Sequence, residues 1–171
     1  VEGFNILTDP HFSQRASPVQ WAGIKRTVAP GIGLNNLPHI DFVVISHNHY
    51  DHMDEDSIVS LSQREGGENT TFLVPLGLKQ WFLDEGIKNV EELDWWETYS
   101  KKSIIIEALP SQHWSDRLGS DRYGTLWANW YFKVADFKFL FIGDSAYAPL
   151  YKEIGEKKGP IDICAIPIGA Y

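Results

Sequence analysis

Short runs of apolar residues, each followed at once by a polar turn, recur along the chain and predict the strands of a layered sheet. The runs are rich in β-branched and aromatic residues, which favours an extended conformation. Several show little alternation between apolar and polar positions, a pattern typical of strands that are buried on both faces. The five runs are Gly3–Leu7, Phe42–Ile45, Ile104–Leu109, Phe137–Ile142 and Ile161–Ile166.

Helices are predicted in three segments between and after these strands. They are Glu55–Arg64, Leu78–Glu85 and Pro149–Lys157. Asp54 stands where a side chain can cap the first of these helices. Strands interleaved with helices indicate an α/β or α+β fold built in layers. The long segment Ser13–Leu37 is rich in Pro and Gly, and it is predicted to be an extended loop of the kind that often carries function.

The composition supports one globular unit. With 43% hydrophobic and 13% aromatic residues, the 171-residue chain can form one sizeable core, so residues 1–171 are expected to make a single domain. No apolar run approaches the length that spans a bilayer, and no signal peptide is visible. The net charge of −8, from 15 basic and 23 acidic residues, argues against nucleic acid as a partner. The oligomeric state is left open.

The single cysteine, Cys164, lies in the apolar run IDICAIPI. One cysteine excludes a disulfide within the chain and fits a reducing compartment, so the cytoplasm is the predicted location. The thiol itself is expected to be a small, buried apolar group.

The stretch ISHNHYDHMD, residues 45–54, holds three of the chain's six histidines and an aspartate between them. Several charged groups this close would repel one another, whereas a metal ion holds neutral imidazoles and a carboxylate together. If the chain stays extended from His47 to His49, both side chains point to the same side and can bind one ion. Asp51 and His52 follow where the chain turns into the predicted helix, so they suit a second, adjacent ion.

Two more candidate ligands follow later strands. His113, in SQHW, would complete a set of three histidines, and Asp144, in FIGDS, would bridge both ions. Loops beyond strand ends are where ligands gather in layered sheets. Imidazole and carboxylate suit Zn²⁺, and also Mn²⁺, Fe²⁺ or Ni²⁺, and the lack of cysteine ligands favours an open, catalytic site. Taken alone, Asp144 would also suit a helix cap before Ser145–Tyr151.

Other residues are candidates for the surroundings of this site. Asp9 either accepts a histidine N–H or caps a turn. The candidate substrate contacts are Trp114, Arg117 and Trp127. Arg15, Arg26 and Arg122 could also hold a phosphate and are otherwise surface charges. His39 is expected to be a surface residue.

The motif HxHxDH, followed by His113 and by the GD pair that ends in Asp144, resembles the metallo-β-lactamase superfamily. The resemblance runs from about Asn5 to Tyr171 and includes segments that carry no ligands. One branch, the N-acyl-phosphatidylethanolamine-hydrolysing phospholipase D group with its bacterial relatives, is similar in the segments LTDPHFSQRASPVQWAGIKR, LPHIDFVVISHNHYDHMD, FLVPLGLKQW, LDWWE, SQHWSDR, TLWANW and PIDICAIPIGAY.

The resemblance implies a four-layered αββα sandwich with two zinc ions between its sheets. The implied ligands of one ion are His47, His49 and His113, and those of the other are Asp51 and His52, with Asp144 shared. The resemblance also implies a further histidine ligand beyond Tyr171, so the chain is expected to be incomplete at both ends.

The resulting hypothesis is a metal-dependent hydrolase, a phosphodiesterase of phospholipase D type in which a hydroxide between two zinc ions attacks phosphorus. Asp51 and Asp144 are its expected catalytic carboxylates. A lactonase or other ester or amide hydrolase is an alternative, as is a catalytically silent metal-binding relative, and a nuclease is the least favoured. The expected substrate is a small-molecule or phospholipid diester. The loop around Val19-Gln20-Trp21 is a candidate for peripheral membrane contact.

Overall fold

The structure, a computed structural model, describes residues 3–117 and 119–169, which form eleven strands and three α-helices. The strands are β1 (Ile6–Thr8), β2 (Arg15–Ala16), β3 (Ile24–Lys25), β4 (Phe42–Val44), β5 (Thr71–Pro75), β6 (Val90–Leu93), β7 (Thr98–Lys101), β8 (Ile104–Leu109), β9 (Asn129–Val134), β10 (Phe137–Phe141) and β11 (Ile163–Ala165). The helices are α1 (Glu55–Gln63), α2 (Lys79–Asp84) and α3 (Leu150–Lys158). Ala170 and Tyr171, which end the segment PIDICAIPIGAY, lie outside the described residues.

Two main sheets carry most of these strands. One is parallel throughout and has the order β1-β4-β5-β6. The other has the order β11-β10-β9-β8-β7 and is antiparallel except for the pair β10 and β11. Because β8 and β10 are both antiparallel to β9, they run in the same direction. Their carboxyl ends therefore lie at one edge of the sheet.

Alternating side chains of β4 enter two different cores. Val43 packs with Ile58 of α1 and Phe82 of α2 on one face of the parallel sheet. Phe42 and Val44 pack on the opposite face, against the second sheet. All three β4 residues are buried, which explains why this run has no polar alternation.

The outer face of the second sheet packs on α3. Leu140 of β10 and Ile154 of α3 belong to a third apolar cluster on that face. Trp130 of β9 is fully buried in the core between the two sheets. The layers therefore run helix, sheet, sheet, helix, which confirms the αββα sandwich.

The predicted elements are all present, with ends that differ by at most three residues from those expected. Six strands were not predicted: β2, β3, β5, β6, β7 and β9. Strands β6 and β7 lie at sheet edges and expose charged or polar side chains, so their apolar pattern is weak. The segment Ser13–Leu37 was expected to be a loop throughout, but β2 and β3 pair within it as a short hairpin.

Two expectations about single residues need correction. Asp54 occupies the N-cap position of α1, but its carboxylate makes no capping bond; it accepts from the Ser57 hydroxyl and from the backbone N–H of Ser13 (3.1 Å). Cys164 was predicted to be buried and is exposed, because β11 is the last strand at one edge of the described sheet. His39 is exposed, as predicted. Among the described residues, no helix is long and apolar enough to cross a membrane.

Candidate metal centre

The candidate ligands lie where three strands end. The segment 47–52 follows β4, His113 follows β8 and Asp144 follows β10. The two sheets are tied together beside this edge, because the indole N–H of Trp130 donates to the Ile45 carbonyl (2.9 Å). Side chains from separate sheets therefore meet at one place, as the strand pattern predicts.

A glycine allows the turn that carries Asp144 to approach β4 closely. A Cβ added to Gly143 would lie 2.5 Å from the Ser46 Cβ, far inside van der Waals contact. Any larger residue at position 143 would therefore push Asp144 away from the histidines.

Three imidazoles form the first set of candidate ligands. His47 Nε2 lies 2.8 Å from His49 Nδ1, and His113 Nε2 lies 3.2 Å and 3.3 Å from these two nitrogens. A proton shared within such a triangle satisfies one pair of nitrogens, whereas a cation satisfies all three. Tetrahedral zinc with Zn–N bonds of about 2.0–2.1 Å holds its nitrogens about 3.3 Å apart, so the triangle fits an ion of this size.

The second set consists of Asp51, His52 and Asp144. His52 Nε2 lies 3.3 Å from Asp144 Oδ1 and 3.6 Å from Asp51 Oδ2. The other oxygen of Asp144, Oδ2, lies 3.7 Å from His113 Nε2. Asp144 therefore directs one oxygen to each set. Within each set, the candidate ligand atoms all lie within 4.8 Å of one another, so each could hold a metal ion.

Asp9 and Ser46 orient two of these histidines. Asp9 accepts hydrogen bonds from the Ser46 hydroxyl (2.6 Å) and from His52 Nδ1 (2.7 Å). Because the Ser46 proton goes to Asp9, the Ser46 oxygen accepts from His47 Nδ1, 2.8 Å away. The Nε2 atom of neutral His47 is thereby left unprotonated, and the contact with Asp9 turns the Nε2 atom of His52 towards Asp144.

The position of Asp9 follows from its strand. It comes directly after β1, which is parallel to β4, so both strands end at the same edge. Its backbone is in the left-handed region, with φ of 42°, which an aspartate tolerates better than most residues. The orienting role considered for Asp9 from the sequence therefore has a geometric basis. Ser46 was not among the predicted residues, although it stands directly before HxHxDH.

The first set favours neutral imidazoles. Burial lowers the pKa of the His47, His49 and His113 imidazoles, because water no longer stabilises their charged forms. Neutral imidazole is the form that binds a metal, so these three side chains are ready for an ion at neutral pH.

His52 differs from the other three histidines. Burial opposes its protonation, but hydrogen bonds to Asp144 and Asp9 outweigh this and raise the pKa of its imidazole to about 10. The same contact with His52 lowers the pKa of Asp144. An ion bound at His52 Nε2 has to displace a proton, so the second set is expected to bind metal less readily than the first.

The predicted substrate contacts lie close to the site but differ in their surroundings. Trp114 packs edge-on against His49, with 4.4 Å between ring centroids. The Trp127 indole donates to the Ser111 carbonyl (2.8 Å), which holds the loop before His113 in place. Arg117 is largely buried and donates to backbone carbonyls, and the small cavity it borders, of about 70 Å³, is lined by acidic side chains and holds none of the candidate ligands. The roles of these three residues towards substrate stay predictions.

Two cavities border the candidate ligands. One of about 230 Å³ is lined by His113 and Asp144 together with Pro167. The other, of about 240 Å³, adjoins His52 and is lined mainly by apolar residues such as Phe141. A larger cavity of about 530 Å³ lies at the opposite edge of the parallel sheet, where β5 and β6 begin, and holds none of the candidate ligands. The chemistry of the ligands therefore marks the smaller cavities as the site.

Comparison with known proteins agrees with this geometry. Residues 4–171 match the family described as the beta-lactamase superfamily domain. The chain is 40% identical over 181 residues to the N-acyl-phosphatidylethanolamine-hydrolyzing phospholipase D 1 of Caenorhabditis elegans. That alignment covers 100% of this chain and 50% of the relative, so the chain spans half the length of the C. elegans protein.

Solved structures show the same fold. A possible metal-dependent hydrolase from Veillonella parvula superposes with a TM-score of 0.71 at 15% identity, covering 92% of this chain and 63% of that one. CmlA, a diiron β-hydroxylase from Streptomyces venezuelae, superposes with a TM-score of 0.67 at 26% identity, covering 95% of this chain and 30% of that one. Since CmlA is a diiron protein, the fold alone does not determine which metal is bound. The chain belongs to the beta-lactamase superfamily, as its motifs predicted.

Proposed function

We propose that the protein is a phosphodiesterase of phospholipase D type that works with two zinc ions. The observation that carries the proposal is the pair of ligand sets that share Asp144, since two adjacent ions suit the displacement of an alcohol from a phosphodiester. The C. elegans relative, an N-acyl-phosphatidylethanolamine-hydrolyzing phospholipase D, supports a phospholipid as the substrate.

The proposed ligands are those predicted from the sequence. His47, His49 and His113 would hold one ion, Asp51 and His52 the other, and Asp144 both. When bound, the ions supply an activated water and positive charge for the phosphoryl oxygens. The side chain of Asp51 is 60% exposed and close to His52, so it can accept a proton from the water side of the site. The expected histidine beyond Tyr171 stays a prediction.

Substrate is proposed to reach the site through the two cavities beside Asp144. Their lining combines ligand side chains with apolar residues such as Phe141 and Ile166, which suits a diester with an apolar tail. Trp114 is proposed to contribute a wall because it contacts His49 directly.

Turnover of soluble esters separates this proposal from the lactonase alternative. The zinc-loaded protein is expected to hydrolyse bis(p-nitrophenyl) phosphate and to leave simple lactones intact, as measured by nitrophenolate release and by lactone ring opening. The reverse preference would favour the lactonase, because the same pair of ions can attack a carbonyl carbon. Binding of zinc with neither activity would favour a silent metal-binding protein.

We also propose that the hairpin of β2 and β3 contacts a lipid surface. Trp21, Ile24 and Val28 are 83%, 80% and 75% exposed, so three apolar side chains in and next to the hairpin face the solvent. Residues 13–37 contain three basic residues and no acidic one, although the whole chain has a net charge of −8. An exposed tryptophan beside basic residues suits the interface of an anionic membrane.

Replacing Trp21 with Ser is expected to lower the affinity for vesicles of phosphatidylcholine and phosphatidylserine by about 3–10-fold, as measured by co-sedimentation. The reason is the loss of one aromatic side chain that would insert into the lipid surface. Turnover of a soluble diester should not change. Leu83→Ser removes an exposed leucine, 41% exposed, from α2 and is the matched control, for which no effect on sedimentation is expected. Equal sedimentation of wild type and Trp21→Ser would exclude the hairpin as the contact.

A further inference from the structure

Arg117 joins two of the three loops that carry the candidate ligands. We propose that it is a positioning residue, which fixes the segment 48–53 relative to His113 so that their side chains are placed for metal. This inference deepens the function proposed above and rests on the metal site described there. It assigns Arg117 a role that differs from the substrate contact suggested by the sequence.

The guanidinium of Arg117 binds both ends of the ligand segment. Its Nη1 donates to the Asn48 carbonyl (3.1 Å) and to the Met53 carbonyl (2.8 Å). The residues between these carbonyls include His49, Asp51 and His52. One side chain therefore holds the two ends of the turn that presents these three groups.

A second contact joins the same two loops. The backbone N–H of Asp116 donates to Asn48 Oδ1 (2.9 Å), and Asn48 is fully buried. Asp116 and Arg117 follow His113 by only three and four positions. The loop that carries His113 is therefore attached to the loop that carries His49 and His52, although the two loops leave different sheets.

The surroundings of Arg117 suit a fixed structural cation. Only 9% of its side chain is exposed, and its guanidinium lies over the Tyr50 ring, 4.2 Å from the centroid. Glu55 lies 3.7 Å away, but its side chain is 56% exposed, so water screens this ion pair. The carbonyls and the ring are the main partners of the guanidinium, and the cavity of about 70 Å³ that it borders is lined by Asp54, Glu55 and Asp56, which disfavours an anionic substrate there.

The geometry also distinguishes arginine from lysine at this position. A guanidinium carries five N–H donors in a planar fork and can lie flat on an aromatic ring. An ammonium is a compact charge that cannot reproduce both the stacking and the paired carbonyl contacts. Lys is therefore expected to preserve the charge at position 117 and only part of the placement.

The turn itself offers a readout that needs no metal and no substrate. The backbone N–H groups of His52 and Met53 donate to the His49 carbonyl (3.1 Å and 2.8 Å). If Arg117 holds this turn closed, its removal should speed hydrogen exchange of these two amides in the metal-free protein.

The test compares Arg117→Ala, Arg117→Lys and Arg122→Ala in the full-length protein. Arg122 is the matched control, because it is exposed and stacks on Trp114 at 4.8 Å without holding the ligand segment. Arg117→Ala is expected to weaken zinc binding by about 10–100-fold, the range seen when groups that orient metal ligands are removed. Amide exchange of His52 and Met53 should accelerate. In zinc affinity and amide exchange, Arg117→Lys should lie between Arg117→Ala and wild type, and Arg122→Ala should match wild type.

Chemical rescue sharpens the result. Guanidinium ion at low millimolar concentration should restore part of the zinc affinity of Arg117→Ala and should not affect Arg122→Ala. If Arg117→Ala kept wild-type zinc affinity and amide exchange while KM rose, Arg117 would contact substrate and the positioning role would be wrong. If Arg117→Ala did not fold, wild-type zinc affinity in both Arg117→Lys and Asn48→Ala would overturn the proposal. Absence of hydrolysis by the wild type would contradict the proposed function, but the measurements of zinc affinity and amide exchange would still test the role of Arg117.

Discussion

Replacing His49 with Ala is expected to remove the ion held by the three histidines and to abolish hydrolysis. His49 Nδ1 forms one corner of the triangle with His47 and His113, at 2.8 Å and 3.3 Å from their Nε2 atoms. A four-ligand zinc site contributes about 10–16 kcal/mol, so one ligand is worth roughly 3–4 kcal/mol, or about 10²–10³-fold in affinity. Elemental analysis of bound zinc and turnover of bis(p-nitrophenyl) phosphate measure the two effects.

His39→Ala is the matched control for this substitution. His39 is exposed, and its ring lies 3.9 Å from Asp41, before the start of β4, whereas the ligand segment follows the end of that strand. The variant is expected to retain wild-type zinc content and turnover. Full activity of His49→Ala with an unchanged zinc content would show that His49 is not a ligand.

The placement of the candidate ligands could be predicted because it depends on local pattern and sheet direction. The apolar run of β4 and the spacing of His47, His49 and His52 are both visible in the sequence. His113 and Asp144 follow β8 and β10, which run in the same direction because each pairs with β9. His113 and Asp144 therefore lie at one edge of their sheet, and the packing of the two sheets brings that edge to the end of β4.

The contacts that orient the ligands could not be predicted in the same way. Arg117 and Asn48 are far apart in the chain, and no periodicity relates them. The exposure of Cys164 could not be predicted either. An apolar run predicts a strand but not whether that strand lies at the edge of its sheet. Such properties depend on tertiary packing, which the pattern of apolar and polar residues does not specify.

The two ligand sets are unequal, and the difference arises from the chain itself. In the first set, burial keeps the imidazoles of His47, His49 and His113 neutral. In the second set, the contacts of His52 with Asp144 and Asp9 favour its protonated form. Zinc is therefore expected to fill the first set before the second. Because Asp144 directs an oxygen to each set, it should influence the affinity of both.

Asp144→Asn is accordingly expected to weaken both ions. The substitution removes a full negative charge whose oxygens lie 3.3 Å from His52 Nε2 and 3.7 Å from His113 Nε2. A unit charge about 4 Å from another contributes about 4 kcal/mol at an effective dielectric constant of 20, so each affinity should fall by roughly 10²–10³-fold. Zinc titration with a competing chelator resolves the two binding steps. Asp51→Asn provides the comparison, because Asp51 belongs to the second set alone and should affect only the weaker step. If Asp144→Asn also affected only one step, the carboxylate would serve a single ion and the shared position assigned to it would be wrong.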